Sequence, residues 1–303
     1  MFFSVRTRAS VIIAAAALAL TACGSGAGSG DAEGEPTIAT AFYPLEYATA
    51  RIVGEHATVI NLTRPGAEPH DVELGLRDVA AVQDADLVVY LKGFQPAVDD
   101  AVAERGDAPS LDVGQSVDLG DDPHFWLDPR LYREVVDEIT ARLAAVDTAH
   151  AERFEANAAR LKADLAALDA DFEAGLATCE SRHLVTSHEA FGHLARRYDL
   201  EQLGITGLSP EQEPSPAKLA ELSDFVRRHD VTTIYYETLV SPAIAEAVAE
   251  ETGANVAVLD PLEGLSEGSG DGQDSANGSS DQNDYLRIMR ANLATLQKGQ
   301  RCT

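Results

Sequence analysis

Residues 149–177 read AHAERFEANAARLKADLAALDADFEAGLA. Ala, Leu, Glu and Lys dominate, no Gly or Pro interrupts before Gly175, and Leu161, Leu165, Leu168 and Phe172 recur at helical spacing. One face of a continuous helix can therefore pack. A helix of this length spans about 40 Å at about 1.5 Å per residue, longer than one small domain needs. It has the reach to bridge two.

On both sides of this stretch, short β-rich runs alternate with helical segments. Before it, TIATAFYPLEYATARIVG (37–54) reads as strand then helix, HATVINLT (56–63) as a strand, VELGLRDVAAVQDA (72–85) as a helix and DLVVYL (86–91) as a buried strand. After it, HLVTSH (183–188) ends a strand, EAFGHLARRYDL (189–200) reads as a helix, and LEQLGITGLS (200–209) is extended. PAKLAELSDFVRRHD (216–230), TTIYYE (232–237), SPAIAEAVAEETG (241–253), NVAVLD (255–260) and DYLRIMRANLATLQKG (284–299) continue as helix, strand, helix, strand and helix. This rhythm predicts an α/β protein with mainly parallel sheets flanked by helices, and ligands at the strand ends. The segment 263–284, EGLSEGSGDGQDSANGSSDQND, has low complexity and is expected to form a loop.

The N-terminus carries Arg6 and Arg8 and then an apolar run from Val11 to Leu20. That run fits a secretory signal and is too short to remain as a membrane span. Leu20, Thr21, Ala22 and Cys23 resemble the lipobox of bacterial lipoproteins, which implies cleavage before Cys23 and a lipid on that cysteine. Residues 23–35 are rich in Gly, Ser and acid, as in a flexible tether.

The formal net charge is -27, and losing residues 1–22 removes two arginines and no acid. A chain this acidic repels phosphate and is not expected to bind nucleic acid. Cations are its natural guests, although solubility alone is an equal reason for such acidity. Two cysteines remain in the mature chain, Cys179 and Cys302. In an exported protein they are read as one disulfide, with two unpaired buried thiols as the alternative.

Histidines and carboxylates at strand ends are the candidates for chemistry. His70 follows the run INLT, His124 lies in DPHFWLDP just before the long helices, His188 ends VTSH, and Asp260 ends VAVLD. His56, His150, His183, His193 and His229 look like helix or surface positions. Three imidazoles and a carboxylate suit zinc, and the absence of thiolates argues against copper(I). The four are separated by 54, 64 and 72 residues. From spacing alone a shared metal site and ordinary packing of separate histidines remain equally open.

GAEPHDVELGLRDVAAVQDADLVVYLKG (66–93), DPHFWLDP (122–129), LVTSHEAFGHLARRYDL (184–200) and VAVLDPL (256–262) together resemble the zinc and manganese solute-binding proteins of bacterial ATP-binding-cassette importers, the cluster A-I or TroA-like family. The resemblance runs over essentially all of the mature chain. It implies two α/β lobes joined by one long rigid helix, with a single metal between them. On that pattern residues 36–148 form the first lobe, 149–178 the linking helix and 179–303 the second lobe. Carried over residue by residue, His70, His124, His188 and Asp260 are the expected ligands. Histidine rather than glutamate at position 188 matches zinc-type members, with Mn²⁺ as the alternative cargo.

Two departures stand out. The histidine-rich loop that many zinc-type members carry before the second motif is missing, and the 264–284 loop is longer and more polar than usual. Glu68, Glu189 and Glu237 are neighbours that could orient a ligand or replace one.

The expected function is capture of Zn²⁺ outside the membrane by a lipid-anchored monomer and delivery to a permease, without catalysis. A zinc hydrolase or a surface adhesin is the alternative of another class. Because neutral imidazole binds metal, affinity is expected to fall below about pH 6.5.

Overall fold

The computed structural model describes Met1 and residues 35–266 and 284–303. The rest of the signal, the tether with Cys23, and most of the 264–284 loop lie outside the described residues.

The first lobe holds strands β1 (Thr37–Thr40), β2 (Thr58–Asn61), β3 (Leu87–Tyr90) and β4 (Ser110–Asp112). They form one parallel sheet in the order β2-β1-β3-β4. Helices α1 (Tyr43–Val53), α2 (Leu76–Asp84) and α3 (Pro96–Ala103) make the crossovers. The buried strand residues Ile38, Ala39, Val88 and Val89 form the floor of the core.

Two long helices follow, α4 (Pro129–Val146) and α5 (Ala151–Leu176). Helix α4 starts sharply because Asp128 caps it, accepting from the Arg130 N–H at 2.8 Å, and Pro129 supplies a preset φ at the first helical position. Helix α5 is the stretch 149–177 with its ends trimmed. Phe154, Ala158, Leu161, Leu165, Leu168, Phe172 and Leu176 are all buried on one side of it. They face α1 and α4 of the first lobe and the last helix of the second. Each large side chain so buried contributes about 1.5–3 kcal/mol.

The second lobe repeats the arrangement with β5 (His183–Thr186), α6 (Gly192–Arg197), β6 (Glu201–Gly204), α7 (Pro216–Arg228), β7 (Thr233–Tyr236), α8 (Ala243–Thr252), β8 (Asn255–Val258) and α9 (Tyr285–Gly299). Its parallel sheet runs β6-β5-β7-β8, the same order as the first. The expected α/β architecture of two lobes and a long connecting helix is therefore present. One element is shorter than its sequence suggests: of 189–200 only Gly192–Arg197 is helical.

A continuous apolar core runs from the first sheet through α4 and α5 to α9, whereas β5, β7, α7 and α8 enclose a smaller second one built on Val185, Leu222, Val226, Ile234 and Val248. The lobes are also tied behind the cleft. The Tyr285 hydroxyl donates to the Trp126 carbonyl, and the Trp126 indole N–H donates to the Pro261 carbonyl at 2.7 Å. Cys179 and Cys302 are joined in a disulfide across 123 residues, beside an antiparallel backbone bridge. A loop that long contributes about 2–5 kcal/mol when closed.

Candidate metal centre

Four chain segments, each leaving the C-terminal end of a strand, converge between the lobes. The first lies beyond β2. There Gln95, almost wholly buried, donates its amide to the Thr63 hydroxyl at 2.9 Å and to the Pro69 carbonyl at 3.0 Å. This pins the irregular run just before His70, whose ring leans on Phe94 with centroids 4.5 Å apart.

The second follows β4. The Asp122 carboxylate accepts from the His124 backbone N–H at 3.1 Å and from its ring Nδ1 at 2.8 Å. A single 3₁₀ turn, Phe125–Leu127, follows with all three side chains buried, and the Trp126 ring packs 5.3 Å from that of His124, which is itself wholly buried. Asp122 is in turn held from the opposite lobe. The His193 Nε2 donates to its carbonyl at 2.8 Å, and Arg196 donates to the His193 Nδ1 at 2.8 Å, which fixes His193 as the neutral Nε2–H tautomer. Gly192 makes this approach possible, since a Cβ there would lie 2.4 Å from the Asp122 carboxylate.

The third segment leaves β5. His188 stands two residues past the strand and is buried, with its Nδ1 donating to Glu237 at 2.7 Å. The Ser187 hydroxyl donates to the same oxygen at 2.5 Å. The fourth follows β8 and supplies Glu263, which is 2 % exposed.

One donor atom from each of His70, His124, His188 and Glu263 lies within 4.8 Å of every other. The three imidazole centroids are 5.4–5.9 Å apart. Nε2 of His70 and Nε2 of His124 are buried without a hydrogen-bond partner, although Glu263 oxygens stand 3.6 and 3.1 Å away. Buried nitrogens left unpaired beside a carboxylate are costly unless a cation joins them. Donors around tetrahedral zinc sit about 2.0–2.2 Å from the ion. The donors need only a small contraction to reach that arrangement.

Of the four residues expected from the sequence, the structure brings His70, His124 and His188 together and does not place Asp260 with them. The Asp260 carboxylate turns away to accept from the Leu262 backbone N–H at 2.8 Å, and Glu263, three residues on, occupies the fourth corner. Glu237 orients a ligand ring, as its position allowed. Glu68 and Glu189 are outside the group. The Glu68 carboxyl is pushed up to about 9 by burial, by a hydrogen bond with Glu211 and by the charge on Glu263, so it is protonated at neutral pH.

Burial alone would lower the His188 pKa. The charge of Glu263 and hydrogen bonds to Glu237 and Glu263 outweigh it and raise the value to about 10. His124 is likewise raised against burial by its bond to Asp122 and by the Glu263 carboxylate beside it. Burial pushes the Glu263 carboxyl up, but the three surrounding imidazoles, His188 foremost, hold it well below its usual range. The metal-free centre is thus a buried imidazolium–carboxylate pair at neutral pH, in which a proton holds the place of the cation. Competition with that proton extends well above the pH 6.5 expected from unperturbed histidine.

The family of zinc-uptake complex component A, periplasmic, matches residues 38–299. The chain belongs to this family. It is a zinc-binding solute receptor of the ATP-binding-cassette uptake class. It is 35% identical over 284 residues to the high-affinity zinc uptake system protein ZnuA of Bacillus subtilis, covering 86% of each chain. It is 34% identical over 289 residues to the zinc-binding lipoprotein AdcA of Streptococcus pneumoniae, covering 88% of this chain and only 56% of that longer one. The crystal structure of the Zn(II)-bound ZnuA-like domain of the same AdcA superposes with a TM-score of 0.76 at 33% identity, over 88% of this chain and 99% of that one. The two-lobed receptor fold is common to these proteins.

Sequence reading missed Glu263, Asp122 and His193. Asp122 had a legible signal, an acid two residues before a histidine in DDPH, where an Asx-type bond to the backbone is expected. His193 had none, because the sequence places it on an ordinary helix.

Proposed function

We propose that the receptor holds Zn²⁺ through His70, His124, His188 and Glu263, rides on a lipid at Cys23, and yields its cargo as a single copy to a membrane permease without performing catalysis. The observation that supports this best is the pair of buried, unpartnered Nε2 atoms within reach of one shared carboxylate. Three imidazoles and a carboxylate match zinc in both hardness and number. Four protein donors leave no open position for an activated water, which a hydrolase needs. Two donors come from each lobe, so capture staples the lobes together and release requires one pair to move away. The long α5 packs against both lobes, which limits that motion to a small displacement.

The test is calorimetric titration of the metal-stripped protein with zinc. One equivalent is expected to bind tightly, and H188A and E263Q to lose most of that affinity. Wild-type affinity in E263Q would remove the carboxylate from the ligand set. A stoichiometry unchanged after replacing all three histidines by alanine would place the ion elsewhere.

A further inference from the structure

Asp260 sits one turn away from the cluster with a carboxylate that takes no part in it, yet its surroundings are unusually well organised. Its backbone is clamped on both sides by one side chain of α9: the Asp260 N–H donates to Asn292 Oδ1 at 3.0 Å and its carbonyl accepts from Asn292 Nδ2 at 2.7 Å. Its own Oδ1 accepts from the Leu262 N–H at 2.8 Å, closing a tight turn over Pro261.

The backbone at Leu262 makes this turn necessary. Leu262 has φ 57°, a left-handed conformation that a leucine adopts only when its surroundings enforce it, and its side chain is 1% exposed. That one left-handed residue swings the next side chain, Glu263, inward. Without it the chain leaving β8 would continue extended, and Glu263 would project elsewhere. Short carboxylate side chains that accept from the N–H two residues on are the usual device for holding such a bend. The Trp126 indole adds a second hold on the Pro261 carbonyl, from the lobe that supplies His124.

We infer that Asp260 is a positioning residue for metal capture: its carboxylate closes the 260–262 turn that presents Glu263 to the ion, while Asn292 of α9 clamps the backbone of the same residue. This inference rests on Glu263 being a ligand. It requires the oxygen at Oδ1 rather than the negative charge, since an asparagine carbonyl accepts the same backbone N–H.

The experiment compares wild type, D260A, D260N and E263Q as metal-stripped full chains, reading zinc affinity by competition with a chromophoric chelator and the visible absorption of the cobalt(II)-loaded form. D260A is expected to weaken zinc binding by about 10- to 100-fold, the usual range for a group one shell out from the metal. Its cobalt spectrum is expected to keep the wild-type band positions, because the ligand set is unchanged. D260N is expected to recover at least about tenfold of what D260A loses. E263Q is expected to change the cobalt spectrum itself.

The inference is overturned if D260N binds zinc no better than D260A and shares the altered spectrum of E263Q, since Asp260 would then coordinate directly. It is equally overturned if D260A, which also answers whether the chain still folds through its melting curve, binds zinc as tightly as wild type. If E263Q keeps both wild-type affinity and spectrum, the ligand reading itself fails, and this inference with it.

Discussion

The two lobes share a strand order and differ in how they hold their donors. In each, the last strand of the sheet, β4 or β8, is followed by a bend that delivers one of the clustered donors, His124 or Glu263, and the two bends touch through Trp126 and Pro261. The remaining donors are not equivalent. His188 leaves β5 after two residues and is locked by Glu237, whereas His70 comes at the end of an irregular run after β2. The His70 side chain is 10% exposed, and among the described residues no carboxylate other than Glu263 pairs with its ring. His124 and His188 are each backed by an acid and His70 is not, so on the proposed ligand set His70 is expected to be the first donor to yield when the metal leaves.

The largest effect expected from breaking this asymmetry is at a backed donor. H188A should weaken zinc binding by more than the about 10- to 100-fold typical of an outer-shell change, and H70A should cost less than H188A. Competition titration of both variants checks the order; equal losses would show that backing does not rank the donors.

Next in size is pH. His188 is raised above its ordinary value, so its proton stabilises the metal-free fold fully below about pH 6.5, and that contribution is lost as pH rises through about 10. Zinc needs the neutral ring, so affinity should climb by about tenfold per pH unit between 6 and 8, with about one proton released per ion. Calorimetry in buffers of different ionisation enthalpy measures that proton directly.

Removing a backing acid comes third. E237Q and D122N should each weaken zinc binding by about tenfold or somewhat more while leaving one equivalent bound. If either leaves affinity unchanged, the corresponding lobe holds its histidine by packing alone. The smallest effect is expected from G192A. Its new Cβ meets the Asp122 carboxylate at 2.4 Å, so overpacking should cost about 1–3 kcal/mol of stability in thermal melts, with a loss of zinc affinity smaller than that of D122N.

The long helix was legible to within two residues, because an unbroken run of good helix formers with a single apolar stripe has no competing reading. Most strands were legible through their flanking turns, but β4 (Ser110–Asp112), only three residues long, was not legible as one. His70 and His188 could be picked out because each follows a strand, and strand ends of parallel sheets face the cleft; His124 stood out because it lies just before the long helices. The fourth donor was not legible. Asp260 also ends a strand, and what diverts it is a left-handed backbone at Leu262, a residue whose composition gives no warning of that conformation. Likewise 189–200 reads as a continuous helix, but the chain first turns through Ser187–Phe191 to bring Gly192 and His193 onto Asp122. Both departures arise from contacts distant in sequence, Asn292 and Trp126 at the 260–262 turn and Asp122 at Gly192 and His193, which periodicity within one segment cannot register.

Trp126 is the only tryptophan of the chain, wholly buried, with its ring 5.3 Å from His124 and its indole N–H on Pro261. All indole fluorescence from this protein therefore originates at one point, between the bend that carries His124 and the bend that carries Glu263. Metal binding by His124 and Glu263 would alter the surroundings of that fluorophore directly, so the occupancy of the receptor is expected to be readable from its intrinsic emission, without any attached dye.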